Sequence, residues 1–211
     1  TFHNAMINGD AATDANGFDG LDKFLVGQST EYGTDKVIDL STMEQLKANA
    51  DVFYEALLKL INSTGAHALM VNEGMKTKIQ TVARVLGYKT ESEEAFGRVI
   101  TTIGENKVRI IDLKNIVTVE DDAAVETPVI GVKERTVGGS ATTGLTDIYA
   151  AKFSTLDGFH GVTLTGNSAI RKYLPDFNTP GAVKKGEVEM VACVALKNVK
   201  SAGVLRNIKI S

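Results

Sequence analysis

The run Glu187-Val188-Glu189-Met190-Val191-Ala192-Cys193-Val194-Ala195-Leu196-Lys197 constrains the fold more than any other stretch of the chain. Read at period two, Val188, Met190, Ala192, Val194 and Leu196 share one face, while Glu189, Val191, Cys193 and Ala195 share the other, as in an extended strand. A helix also accommodates the spacing, because positions 188, 191, 192, 195, 196 and 199 are all apolar, and periodicity alone does not separate the two. The valine enrichment and the bracketing Gly186 and Gly203 favour a strand, on the order of 35 Å long at about 3.3 Å per residue. Its backbone needs a partner, which the remaining sequence has to supply.

The 211 residues, 43% hydrophobic and 23% charged, fit one medium or two small soluble globular domains. A net charge of -3 argues against a dedicated nucleic-acid binder, which carries a basic stripe. No run of Lys and Arg is present to hold a membrane surface, and no apolar run approaches the ~20 residues that cross a bilayer. The single cysteine, Cys193, excludes an internal disulfide and a cysteine zinc site. The chain opens Thr1-Phe2-His3-Asn4, without the basic and apolar segments of a secretory signal and without an initiator methionine. It therefore reads as a fragment or a processed product.

Phe2 to Ile7 looks like the last turn of a helix, stopped by Asn8-Gly9-Asp10, and residues 11 to 20 read as a loop. Ser41-Thr42-Met43-Glu44 forms a capping box, with Ser41 as the cap. A helix follows, with Met43, Leu46, Ala50, Phe53, Leu57, Leu60 and Ile61 as its apolar stripe and Asn62-Ser63-Thr64-Gly65 as its end. His67 to Val71 reads as a short buried strand. A second helix then starts at Asn72 or Glu73 and runs to Leu86, with Met75, Ile79, Val82 and Leu86 inward and Gly87 as the stop. From there strands dominate. After a loop over 90–94 they are expected at Val99 to Ile103, Lys107 to Leu113, Ile116 to Val119, Pro128 to Val132, Asp147 to Phe153 and His160 to Leu164. Gly104-Glu105-Asn106 reads as a turn, Gly138 to Gly144 as a flexible loop, and Leu174 to Gly181 as a loop ahead of the long strand. The class is mixed α+β.

No catalytic, cofactor-binding or metal site emerges from the residues. His3, His67 and His160 lie far apart, and none has a partner at metal-ligand spacing. Asp10, Asp14, Asp19 and Asp22, with Asn16, do not match the calcium-loop pattern and read as turn formers. Gly138-Gly139-Ser140-Ala141-Thr142 and Gly166-Asn167-Ser168-Ala169-Ile170 begin like nucleophile elbows but lack the closing glycine. The glycine-rich stretch 138–144 also lacks the Lys-Ser or Lys-Thr of a phosphate-binding loop. Cys193, among apolar neighbours, reads as structural. An enzyme site assembled from distant residues would escape such a reading, but the pattern points to a function carried by surfaces.

Short motifs at both ends carry a resemblance. Ala5-Met6-Ile7-Asn8-Gly9-Asp10 followed by Gly17-Phe18-Asp19-Gly20-Leu21 resembles a segment of tailed-bacteriophage major capsid proteins. Gly186 to Val191 with Ala202-Gly203-Val204-Leu205-Arg206-Asn207-Ile208 resembles the closing strands of that family. Ile148 to Phe153 and Gly158 to Val162 resemble the stretch just before them. The resemblance implies the Hong Kong 97-type capsid fold. Residues 1–34 and 184–200 would form a partial P-domain, and residues 35–183 with 201–211 a compact A-domain. The N-terminal arm, the E-loop and most of the spine helix have no counterpart here, and the long strand's partner would come from those parts.

The function so implied is structural: an icosahedral head shell, in a virion assembled in the bacterial host cytoplasm, with no reaction catalysed and no cofactor. The implied partners are copies of the chain in pentamers and hexamers, with scaffold, portal and decoration proteins. Packaged DNA would be enclosed without specific binding, and no membrane would be involved. Loops 120–127 and 136–146 are expected to make contacts around the shell's axes. The alternatives are an encapsulin-like nanocompartment shell, a small α+β enzyme or binding module, and another virion part such as a head-completion or tail protein.

Overall fold

The computed structural model describes residues 2–88, 91–95, 98–103, 107–120, 123–166, 168–175, 181 and 183–211. In chain order the elements are α1 (Phe2–Asn8), α2 (Leu21–Leu25), β1 (Glu31–Tyr32), β2 (Ile38–Asp39), α3 (Met43–Thr64), β3 (Ala68–Val71) and α4 (Glu73–Val85). Then come β4 (Glu91–Ala95), β5 (Arg98–Ile103), β6 (Val108–Asp112), β7 (Asn115–Glu120), β8 (Ala123–Pro128), β9 (Lys133–Val137) and β10 (Ser140–Ala151). β11 (Phe159–Thr163), β12 (Ile170–Tyr173), β13 (Glu187–Met190), β14 (Ala192–Leu196) and β15 (Ala202–Lys209) complete the mixed α+β chain.

Among the described residues, the central sheet runs β1-β15-β10-β3-β6-β5-β4, with β2 also on β15 and β9 also on β10. β15 is antiparallel to β10 on one edge and parallel to β1 and β2 on the other. The period-two rule divides the side chains between two cores. Leu69 and Val71 of β3, Ile148 and Ala150 of β10, and Leu205 of β15 face α3 and α4. Met70, Tyr149, Ala151 and Val204 face the opposite way, onto Ile7, Leu21 and Leu25.

α3 presents Leu46, Ala50, Phe53, Leu57, Leu60, Ile61 and Thr64 to the first core. Thr42 Oγ1 accepts from Gln45 N at 3.2 Å, so Thr42 is the cap. The expected cap Ser41 instead donates its hydroxyl to Asp39 at 2.6 Å. Met43, expected on the apolar stripe, is 51% exposed because it sits on the first turn ahead of the sheet contact. Gly65, at φ 57°, closes the helix in the left-handed region that favours glycine. Asn72 caps α4 by accepting from Met75 N at 2.8 Å, and donates its own amide to Ile130 O and Thr146 Oγ1.

β15 contains a bulge that sets the polar chemistry of the protein. Thr146 pairs with Ile208 and Ile148 with Leu205, so Arg206 and Asn207 together oppose Asp147. Asn207 takes φ 59°, and its amide donates to Gly33 O at 2.9 Å and Thr34 O at 3.2 Å. The extra residue shifts the side-chain phase, which returns Ile208 to the first core beside Leu205.

The two N-terminal motifs, Asn8-Gly9-Asp10 and Gly17-Phe18-Asp19-Gly20-Leu21, meet in one contact. Gly9 N closes α1 on Ala5 O at 2.9 Å, and Gly20 N donates to Gly9 O at 2.9 Å. A Cβ on Gly20 would lie 2.6 Å from Gly9 N and from Ile7 C. Since Gly20 has φ -86°, close approach of the backbone, and not an unusual conformation, requires glycine there. Gly20→Ala is expected to destabilise the protein by about 1–3 kcal/mol, read from urea denaturation at unchanged slope. An unchanged midpoint would contradict this contact.

Several expectations are corrected. The Glu187–Lys197 run is not one strand: β13 and β14 are separate, with Val191 between them bonding to Ala169 O at 3.1 Å. Its partners are β12 and β11 of the same chain, not a segment outside it. The expected strand Pro128 to Val132 is replaced by the end of β8, with Val129 and Ile130 buried in a bend before β9. The expected flexible loop 138–144 is a tight turn at Gly138-Gly139 (φ 59° and 84°), after which β10 begins at Ser140. Residues 91–94, expected in a loop, form edge strand β4. The axial loops expected over 120–127 and 136–146 are largely strands of the β7–β8 and β9–β10 hairpins. The turn at 104–106 and most of the loop 174–181 lie outside the described residues.

Candidate assembly surfaces

The candidate residues do not assemble into one site, although two of the histidines share a surface depression. His3 lies on α1, His67 is exposed ahead of β3, and His160 is half-buried on β11 with Nδ1 3.2 Å from Gly158 O. His67 and His160 both line an open depression with Lys152, Phe153, Asp157 and Phe159, where Lys152 and Asp157 pair at 2.7 Å. Among the described residues no three His, Cys, Asp or Glu side chains are placed to hold a metal ion.

Asp10 accepts from Ala12 N, Asp14 from Asn16 N and Asp19 from Ala11 N at 2.8–3.0 Å, which is turn chemistry. Of the two glycine stretches, Ser140 opens β10, exposed, while Asn167 lies outside the described residues. Cys193 is a half-buried free thiol opposite Val162. No described helix is long and apolar enough to cross a membrane.

Asp22 has another role. Arg206 Nη1 donates to Asp22 Oδ1 at 2.7 Å, Arg206 Nε binds Glu31, and Tyr149 OH donates to Asp22 Oδ1 at 2.8 Å. Arg135 grips Asp147 with both terminal nitrogens, at 2.6 and 2.5 Å, and reaches Asn207 Oδ1 at 3.1 Å. Asp147 accepts from Arg206 Nη1 at 3.5 Å, joining the two guanidinium groups into one network. Its side chain is 3% exposed and that of Arg206 10%.

Burial opposes the charge on Asp22, but the Arg206 guanidinium and the hydrogen bonds from Arg206 and Tyr149 outweigh it and hold its carboxyl below the usual range. Burial, with Asp147 and Asp22 beside it, pushes the Tyr149 phenol up, so it remains a donor. The network braces residues 22–34 against β9, β10 and β15. Its signal in the sequence was Arg206 set between the apolar Val204-Leu205 and Ile208, since a buried arginine requires acidic partners.

The pairs β11–β14 and β12–β13 form a ribbon that is partly exposed. Near the body, Phe159 and Val194 are 1% and 7% exposed and belong to the second core. Farther out the covering stops: Ile170 is 50%, Val188 72% and Met190 48% exposed. Ile170 pairs with Met190 and Lys172 with Val188, so these share one largely apolar face. Arg171 pairs with Glu189 and Tyr173 with Glu187 on the other.

The fold is similar to that in the cryo-electron-microscopy structure of the holo-SrpI encapsulin complex from Synechococcus elongatus PCC 7942, with a TM-score of 0.56 and 12% identity. The match covers 90% of this chain and 57% of that one, so the chain spans little more than half the encapsulin's length. At that identity what is shared is the fold. No protein-family model matches the sequence, and no curated protein matches it.

Proposed function

We propose that this chain is a structural subunit of a closed, self-assembling protein shell. The observation that carries the reading is the match, over 90% of the chain, to the fold of an encapsulin. The uncovered apolar face of the β12–β13 ribbon supports it, because repeated modest contacts multiplied by symmetry give avidity. In this reading residues 1–34 and 184–200 belong to a peripheral domain, residues 35–183 and 201–211 to an axial one, and no reaction is catalysed.

Two contents suit such a shell. The short motifs around Gly9, Gly20 and Gly203 support a tailed-phage or prophage head, filled with DNA and assembled in a bacterial cytoplasm. The structural similarity supports an encapsulin-like compartment equally or better. Negative-stain microscopy of the complete gene product is expected to show uniform closed shells. Nucleic acid inside them marks the phage head, and a co-purifying protein cargo marks the compartment. A monomer that binds a metabolite saturably and never forms shells would overturn the reading in favour of an enzyme or binding module.

A further inference from the structure

The charges of the β12–β13 ribbon are divided by strand. β12 carries Arg171 and Lys172, whereas β13 carries Glu187 and Glu189. Among the described residues each strand has only the other as its ladder partner, so the outer edge of each is unpaired. One strand is thus basic and the other acidic, with their side chains on the two faces of the ribbon, and Ile170, Val188 and Met190 lie uncovered on one of those faces. A two-stranded ribbon is marginal in water without a cover, and an open edge is a template for another strand.

Self-pairing about a twofold axis is disfavoured on either edge. β12 against β12 brings the Arg171 and Lys172 charges of both copies into one neighbourhood, and β13 against β13 does the same with Glu187 and Glu189. Like charges facing each other across paired strands are destabilising. The contact that matches charge is heterologous, basic strand to acidic strand, and a heterologous contact closes into a ring when the rotation permits. Both halves of the match lie on one surface of one chain, so a second copy is sufficient as the partner.

We propose that β12 of one copy docks beside β13 of the next, head to tail. The ribbon thereby links subunits into a ring and excludes a twofold dimer. The shell reading contributes to this only the expectation that copies meet; the direction of the contact comes from the ribbon's own charges.

The test is a charge swap read by sedimentation velocity over a range of concentration and salt. The wild-type chain is expected to self-associate, less so at high salt. R171E/K172E and E187K/E189K should each associate about tenfold more weakly. An equimolar mixture of the two should recover association, because the acidic β12 of one variant then meets the basic β13 of the other. The quadruple variant, with both strands reversed, should also recover it. Near-ultraviolet circular dichroism checks that each variant is folded, and recovery in the mixture itself shows that both are competent.

A wild-type chain that stays monomeric, a double variant that associates like wild type, or a mixture no stronger than its components would overturn the proposal. The same variants in the complete gene product separate the two ideas. Shells that form unchanged overturn the ribbon contact and leave the shell reading intact. Wild-type product that forms neither rings nor shells overturns both.

Discussion

Arg206→Met is expected to lower the melting temperature by on the order of 10 °C. Removing one partner of a buried ion pair costs about 3–5 kcal/mol, because the remaining charges stay desolvated and uncompensated, and a domain of this size loses about 2–4 °C per kcal/mol. Here three carboxylates depend on the guanidinium: Asp22 at 2.7 Å, Asp147 at 3.5 Å and Glu31 on Nε. Arg135 would still satisfy Asp147, leaving Asp22 and Glu31 as the destabilised groups, both on the segment held against the sheet. Lysine restores the charge but not the fork, so Arg206→Lys should fall between wild type and Arg206→Met. A methionine variant as stable as wild type would show that the network is dispensable.

The same network gives a pH dependence with a definite sign. Because the folded Asp22 carboxyl titrates below its ordinary value, its contribution is complete above the unfolded carboxylate range, near pH 4. It is lost as pH falls through the lowered folded value. Thermal melts between pH 7 and pH 2 should therefore show Asp22→Asn less stable than wild type at neutral pH, with the gap narrowing in acid. Parallel pH profiles for the two proteins would contradict the coupling.

Phe53→Ala is expected to destabilise by about 3–5 kcal/mol, the range for removing a large buried aromatic side chain. Phe53 is fully buried at the centre of the α3 stripe, packed with Leu57, Ile148 and Leu205 in the first core. The cavity would open between a helix and a sheet that are both fixed by other contacts, so it cannot easily collapse. Val52→Ala, one residue away but 58% exposed, should change stability by no more than about 0.5 kcal/mol. Chemical denaturation distinguishes the two, and similar losses from both would contradict the assigned face.

The regular helices were legible because their signals are local. The stripe from Leu46 to Ile61, the glycine at 65 and the asparagine at 72 each specify their own neighbourhood. β3 was legible for a related reason, since a strand buried on both faces reads as an uninterrupted apolar run, whereas of β10 only the end from Asp147 was read as a strand. What stayed hidden depends on distant partners. β1 and β2 are two residues each and exist only because β15 lies beside them. β4, with the sequence Glu-Ser-Glu-Glu-Ala, is polar because it is an edge strand. The break at Val191 follows from the change of partner from β12 to β11, which nothing in residues 187–197 encodes. The network around Arg206 draws on positions 22, 31, 135, 147 and 206, each an ordinary charge in its local setting.

The parallel pairing of β1 and β2 with β15 also bears on how fast the protein folds. Glu31 and Arg206 are separated by 175 positions, whereas β4–β5, β7–β8 and β9–β10 are hairpins that form from adjacent residues. Closing so large a loop adds little to the equilibrium cost, which grows only with the logarithm of length. It weighs heavily on the rate, because non-local pairings form slowly. The hairpins are therefore expected to form in microseconds, followed by a slower step in which β15 enters between β10 and β1. During that interval the edge of β10 is open to strands of other molecules, and misassembly at this edge sets how concentrated the unfinished chain can become.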